Sequence, residues 1–366
     1  MMDQKQTHYS GDAGIFTRRQ CLKGSMMLAS TALAGSMKSP AFGWATNADP
    51  KIKGPFLILS TPFTSSGEVD WDDLAREASF AEWCGCSGVI WAQSGGDMQF
   101  LTKQERMRGM EVLANACRGK RTVLCLGVQG NDTDEMLEFA HHAESLAPGA
   151  IISRPPDSGT SQEDMREYYH ALAKVAKRPV IIQTTGGPTY KGPAPSTELL
   201  VELARDFSYF GYVKEEHDPI ADRIQSLVKQ KPPIRRVFGA MGGLNWLYEL
   251  RLGVEGLITE RMVYADALME LWNSYQRGDK AKARDIFEKF ISITSLSRDI
   301  PPVLRGFQLY LLKKRGVIKT MVSRYRKPGE ARVSHQELVL SPVQIEEIEF
   351  RFEALKPYMR PERFPG

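Results

Sequence analysis

"YFGYVK", residues 209–214, is an apolar-aromatic run that stops on a lysine, and it is the sixth run of its kind along the chain. Before it come "FLILSTP" (56–62), "GVIWAQ" (88–93), "TVLCLGV" (122–128), "GAIIS" (149–153) and "PVIIQT" (179–184). After it come "RVFGA" (236–240) and "EGLIT" (255–259). The runs recur at intervals of roughly 20–35 residues, and most of the intervals carry a helical pattern. In "DWDDLAREASFAEWCG", Asp70 can cap a helix, and Leu74, Ala78 and Phe80-Ala81 repeat at helical spacing. None of the eight runs reads as strongly half-polar, so each strand is expected to be buried on both faces, as in a parallel sheet covered by helices. Eight such units predict an α/β chain folded as a (β/α)8 TIM barrel. No G-x-G-x-x-G follows the first run, which removes the main argument for a dinucleotide-binding fold. From about 263 the pattern is helical only. The expected organisation is therefore a targeting segment over 1–45, a barrel over 46–262, and C-terminal helices over 263–366 packing on the barrel. The segment "RYRKPGEARVSHQ" (324–336) reads as a polar connection among those helices.

Apolar content of 42% and charge of 25% are ordinary for a globular protein with a sizeable core. The first 45 residues hold five basic side chains against two acidic ones and so carry +3 of the net +4. The remainder has no basic field of the kind that nucleic-acid binding needs. "TRRQCLKG" (17–24) resembles the twin-arginine export signature, with Cys21 where phenylalanine is usual. A weakly apolar stretch, Ser25 to Met37, follows, and "GWA" (43–45) offers small residues for a signal peptidase. The segment is too short and too mild to span a membrane. Export by the twin-arginine machinery, a periplasmic location and no membrane association after cleavage are the expectations. Such export carries folded proteins, so Cys84, Cys86, Cys117 and Cys125 need not be bridged. Cys84 and Cys86 lack a second pair at zinc spacing, and none of the 6 histidines falls in a ligand pattern. No metal and no cofactor are expected.

In barrels of this kind chemistry sits at the C-terminal ends of the strands. Lys214 is there, and from the residue alone two readings stand. It is a strand-end cation paired with Glu215 or Glu216, or it is a nucleophile. Taking an amine out of water disfavours the ammonium form. A neutral lysine can attack a ketone to give a Schiff base, whose protonated imine is an electron sink. "AQSGGD" (92–97) follows the second run, and its serine and glycines expose backbone N–H groups to a carboxylate or phosphate.

These pieces together resemble the dihydrodipicolinate synthase / N-acetylneuraminate lyase family of Schiff-base barrels. The resemblance runs from about Gly54 to about Leu340. It rests on "TPF" (61–63), "SGGDMQFLTKQER" (94–106), "GVQGNDTDE" (127–135), "RPP" (154–156), "GYVKEE" (211–216) and "GVEGLIT" (253–259). It implies that Lys214 is the Schiff-base lysine and that Ser94, with the Gly95 backbone, grips a 2-oxo acid carboxylate. Gly96, Gln183 and Thr184 complete the set of candidate binding residues.

The chain departs from that family at several points. The strand-five box Tyr-Asn-x-Pro supplies a phenol as proton relay, but here Gln183, Thr184, Thr185 and Gly186 align with it. A glutamine amide cannot shuttle protons as a phenol does. Gly95 replaces the second threonine of the strand-two box, and Asp97 replaces its glutamate. Asp157 and Ser158 stand where tyrosines usually follow the strand-four prolines, and Pro188 stands where true dihydrodipicolinate synthases carry an arginine. Tyr190, His217, Glu215 and Glu216 read more readily as rim, helix-start or packing residues than as substitutes for the phenol. The expected activity is that of a class I lyase or aldolase acting on a 2-oxo acid or keto-deoxy sugar acid through Lys214, and not dihydrodipicolinate synthesis. The alternatives are a sugar-acid dehydratase using the same lysine and a periplasmic barrel that binds such acids without turning them over. A homo-oligomer, dimer or tetramer, is implied by the same resemblance.

Overall fold

In a computed structural model the described residues are 48–187, 190–298, 300, 306–361 and 363–366. The targeting segment expected over 1–45 and the position of Pro188 lie outside them.

Eight parallel strands alternate with helices. They are β1 (Gly54–Ile58), α1 (Trp71–Cys84), β2 (Gly88–Trp91), α2 (Lys103–Ala116), β3 (Val123–Gly127), α3 (Thr133–Ser145), β4 (Ala150–Ser153) and α4 (Gln162–Val175). Then follow β5 (Val180–Gln183), α5 (Thr197–Asp206), β6 (Tyr212–Lys214), α6 (Ile220–Val228), β7 (Arg236–Phe238), α7 (Trp246–Leu252), β8 (Gly256–Thr259) and α8 (Ala265–Gln276). The strand order β7-β6-β5-β4-β3-β2-β1-β8 closes on itself through backbone bonds between Gly239 and Gly256 and between Ile258 and Gly239. This is the (β/α)8 barrel that the eight apolar runs predict. Asp70 caps α1 as its position implies, accepting from the Asp73 N–H at 3.0 Å.

Alternation along each strand sorts the core into two layers. Phe56, Ile58, Ile90, Cys125, Ile152, Ile181, Tyr212, Phe238 and Ile258 fill the barrel interior. Leu57, Val89, Leu124, Ile182, Val213 and Leu257 face the helices. Both layers are buried, which is why the runs carry no polar alternation. Two residues beyond Ile181 and Tyr212, the same face presents Gln183 and Lys214, which pair across β5 and β6 at the top of the barrel.

Beyond the barrel lie α9 (Lys280–Thr294), α10 (Gln308–Lys314) and α11 (Pro342–Glu353). The stretch expected to be a polar connection is instead an antiparallel hairpin, β9 (Val322–Arg326) with β10 (Val333–Glu337). Its turn is "KPGE", in which Glu330 N–H donates to the Lys327 carbonyl and Gly329 takes φ +80°. Proline then glycine at the two central positions is the chemistry of a type II turn. The hairpin is held by Arg324, whose guanidinium donates twice to Glu105 at 2.8 and 2.9 Å and stacks over Phe63. The helix α8 lies past the expected boundary at 262, yet it is the eighth barrel helix and packs against β1.

Cys84, Cys86, Cys117 and Cys125 are free and buried. Burial raises all four thiols, Cys117 to about 11. Among the described residues no helix is long and apolar enough to cross a membrane.

Glu249, on α7, is 2% exposed and points behind β7 against Gly239, with Oε2 unpartnered. Burial pushes its carboxyl up from 4.5 to about 7. A folded-state value above the unfolded one contributes stability that is complete below pH 4.5 and is lost as pH rises through about 7. A shift of this size corresponds to a loss of about 3 kcal/mol. Denaturant midpoints at pH 5 and pH 8 are expected to differ more in the unaltered chain than in Glu249→Gln. Equal differences would show that this carboxyl does not govern the pH dependence.

Candidate active site

The C-terminal ends of the strands surround a cavity of about 310 Å³ lined by Ile58, Gln93, Ser94, Gly95, Gln183, Lys214, Glu216, Met241, Gly242, Ile258, Glu260 and Arg261. Its floor is the top interior layer of the barrel, Ile58 and Ile258. The cavity therefore has an apolar base and a charged wall.

Lys214 is 5% exposed. Its Nζ donates to Gln183 Oε1 at 3.2 Å and faces Glu216 Oε2 at 3.0 Å. Gln183 Nε2 donates to Thr185 Oγ1 at 3.2 Å, and that hydroxyl donates to Glu216 Oε1. Lys214, Gln183, Thr185 and Glu216 thus close a hydrogen-bonded ring in the cavity wall. The two glutamates after the lysine diverge. Glu215 turns away and is fully buried, accepting from Thr184 Oγ1 at 2.7 Å and pairing with Arg223 at 3.1 Å.

Of the residues singled out from the sequence, Lys214, Ser94, Gly95 and Gln183 meet in this cavity. Gly96 and Thr184 do not line it. Gly96 packs beneath, where an added Cβ would come within 2.9 Å of the Leu59 carbonyl, and its own carbonyl accepts from Thr61. The Thr184 hydroxyl supports the backbone and Glu215. Tyr190 does not substitute for the missing phenol. Its hydroxyl donates to the Pro193 carbonyl at 2.5 Å, and burial pushes it up to about 12. No tyrosine lines the cavity among the described residues. His217 is exposed.

Three lining residues escaped the sequence reading. The sequence pattern reads Glu216 as a helix-start or packing residue and assigns Glu260 and Arg261 no role. The last two directly follow the eighth apolar run in "EGLITER", so the strand-end rule applied to the other strands also points to them. Burial raises the Glu260 carboxyl, but the Arg261 charge, its own backbone N–H and the Lys214 charge outweigh this and hold it below the ordinary range. Glu260 also explains Gly95. A Cβ there would sit 2.9 Å from the Glu260 Cβ, so a threonine at position 95 would displace this carboxylate.

Buried polar atoms without partners are rare in folded proteins and mark sites. Ser94 Oγ, Gln93 Oε1 and Arg261 Nε are such atoms, and all three residues line the cavity. Two of them can donate to an anion. Elsewhere, on the outer helices α4 and α5, His170, Glu202 and Asp206 bring ligand atoms within 4.8 Å of one another, a grouping the sequence spacing did not reveal. Glu202 is already taken by the Arg166 guanidinium at 2.7 and 3.1 Å, His170 and Glu202 are half-buried, and Asp206 is exposed.

Residues 51–330 match the model of the dihydrodipicolinate synthetase family. The 4-hydroxy-tetrahydrodipicolinate synthase of Chlorobium chlorochromatii (strain CaD3) is 27% identical over 250 residues, covering 68% of this chain and 83% of the relative. That of Methanopyrus kandleri is 26% identical over 246 residues, 66% of this chain and 80% of the relative. Among solved structures, Ruminococcus gnavus sialic acid aldolase superposes with a TM-score of 0.73 at 19% identity, over 84% of this chain and 100% of that one. Dihydrodipicolinate synthase from Aquifex aeolicus gives 0.69 at 22% identity, over 84% and 98%.

Proposed function

The chain belongs to the dihydrodipicolinate synthetase family of class I aldolases and lyases, and from that premise we propose that it is a lyase acting on a 2-oxo acid or keto-deoxy sugar acid through a Schiff base on Lys214. The observation that carries the proposal is a buried primary amine in a strand-end cavity that also holds two unpartnered donors, Ser94 Oγ and Arg261 Nε, suited to a carboxylate. Ser94 and Gly95 would hold the carboxylate next to the carbonyl. Lys214 would attack that carbonyl, and the resulting iminium would accept the electrons of the bond that breaks.

Dihydrodipicolinate synthesis itself is not the reaction we propose. Gln183 stands where the family's proton-relaying tyrosine would be, and the twin-arginine pattern at 17–24 suits a periplasmic enzyme rather than a cytoplasmic biosynthetic one. Assembly as a dimer or tetramer belongs to the same proposal. A binding barrel without turnover is the second reading, favoured by the ion pair that occupies Lys214.

The test is borohydride reduction in the presence of pyruvate and a panel of longer 2-oxo acids. A mass increase mapped to Lys214, absent from Lys214→Ala, is the expected result. Measurable binding of an oxo acid without any adduct would support the binding barrel and sink the lyase.

A further inference from the structure

We propose that Glu216 takes over the proton relay that the missing strand-five phenol would supply, with Gln183 and Thr185 as its positioning residues. The inference rests on the Schiff-base reading of Lys214 given above.

Four observations lead to it. Glu216 Oε2 lies 3.0 Å from Lys214 Nζ, within the hydrogen-bond reach that a proton-transfer group needs. Its other oxygen is held by a hydroxyl, that of Thr185, and not by a guanidinium. Among the described residues its charged partner is the reacting amine itself. The side chain is 10% exposed, so the exchange is shielded from bulk water.

The other cavity carboxylate does not fit the role. Glu260 is paired with the Arg261 guanidinium at 3.3 Å and accepts from Thr259, and the cations beside it hold its carboxyl below the ordinary range. A guanidinium does not give up its proton, so a carboxylate paired with one stabilises charge but has no proton to exchange with its partner. The ring also gives the strand-five departures a joint purpose. Gln183 Oε1 accepts from the lysine while its amide steers Thr185, and Thr185 in turn aims Glu216. Tyrosine at 183 would offer neither of those amide contacts.

The step balances as follows. The Glu216 carboxylate takes one proton from the Lys214 ammonium, leaving a neutral amine and a carboxylic acid. The amine adds to the carbonyl carbon of the 2-oxo acid, and the nitrogen proton lost on addition goes to the carbonyl oxygen by way of the carboxyl group. Glu216 then protonates the carbinolamine hydroxyl, which leaves as water. One ammonium and one ketone have become one iminium and one water, and Glu216 is a carboxylate again.

Timed borohydride quenches with pyruvate, followed by peptide mass mapping, test this. Glu216→Gln keeps the size and the hydrogen-bonding capacity but cannot carry the proton. It is expected to slow adduct formation about 10²–10⁴-fold while the pyruvate concentration for half-maximal rate stays near that of the unaltered chain. Glu216→Ala is expected to be equally slow and to be accelerated by added formate, which a merely structural role would not allow. Adduct formation in Glu216→Gln at the unaltered rate would overturn the relay while leaving the Schiff-base reading intact. Absence of any Lys214 adduct from the unaltered chain would remove the Schiff-base reading, and the relay with it.

Discussion

Lys214→Arg is expected to abolish the pyruvate adduct as completely as Lys214→Ala does, and to lower turnover of any oxo acid found to be a substrate by roughly 10⁴-fold or more. The arginine variant is the informative one. If Lys214 served only as the cation that neutralises Glu216, a guanidinium at the same strand end would replace it with little loss. A guanidinium stays protonated in proteins and cannot form an imine. Both variants remove the nucleophile, but only alanine also leaves Glu216 without a charge partner. Alanine is therefore expected to cost about 1–3 kcal/mol of stability, the penalty for orphaning a buried polar group, and arginine less. Retained turnover in Lys214→Arg would show that the lysine is structural. The two readings that the sequence left in balance thus separate on one pair of variants, with adduct mass and melting temperature as readouts.

The second large effect concerns the joint between the barrel and the C-terminal region. Arg315 is fully buried and donates to Asp266 on α8 at 3.1 and 2.6 Å, and to the Val263 carbonyl at 2.7 Å. Its guanidinium lies over Phe80 of α1 at 4.7 Å, and the backbone N–H of Arg360 completes Asp266 at 2.8 Å. One side chain therefore ties α1, α8 and the C-terminal segment together. Breaking a buried pair by removing one partner costs about 3–5 kcal/mol, because an uncompensated charge stays behind. Arg315→Leu is expected to show that loss in denaturant unfolding, with a fall in melting temperature on the order of 10 °C. Replacing both partners, Asp266→Leu with Arg315→Met, removes the charges together and is expected to recover most of the stability. If Arg315→Leu and the double variant unfold alike, the pair does not act as a unit.

The barrel was legible because its signal is repeated and two-sided. Each of the eight strands is buried by the helices outside and the packed interior within, so each run is apolar without interruption. The hairpin β9–β10 was not read as strands, although "KPGE" is a turn signal. Its residues are largely polar, and it is held by Arg324 reaching Glu105, a partner more than two hundred residues away in the chain. No local pattern encodes such an anchor. The metal-like grouping of His170, Glu202 and Asp206 escaped for the same reason, since two separate helices contribute to it.

At the site the division is finer. Strand periodicity alone places Gln183 and Lys214 on the interior face, two residues past Ile181 and Tyr212, because side chains alternate along a strand. The sequence also determined that no phenol stands beside the lysine at position 183. Beyond Lys214 the strand ends and alternation no longer says where a side chain points. Only the tertiary structure decided that Glu215 turns outward to Arg223 while Glu216 folds back onto the amine. The cause is the neighbouring strand end, where Thr184 binds one glutamate and Thr185 the other. Two adjacent residues of the same type are sent in opposite directions by contacts that form only when β5 and β6 lie side by side.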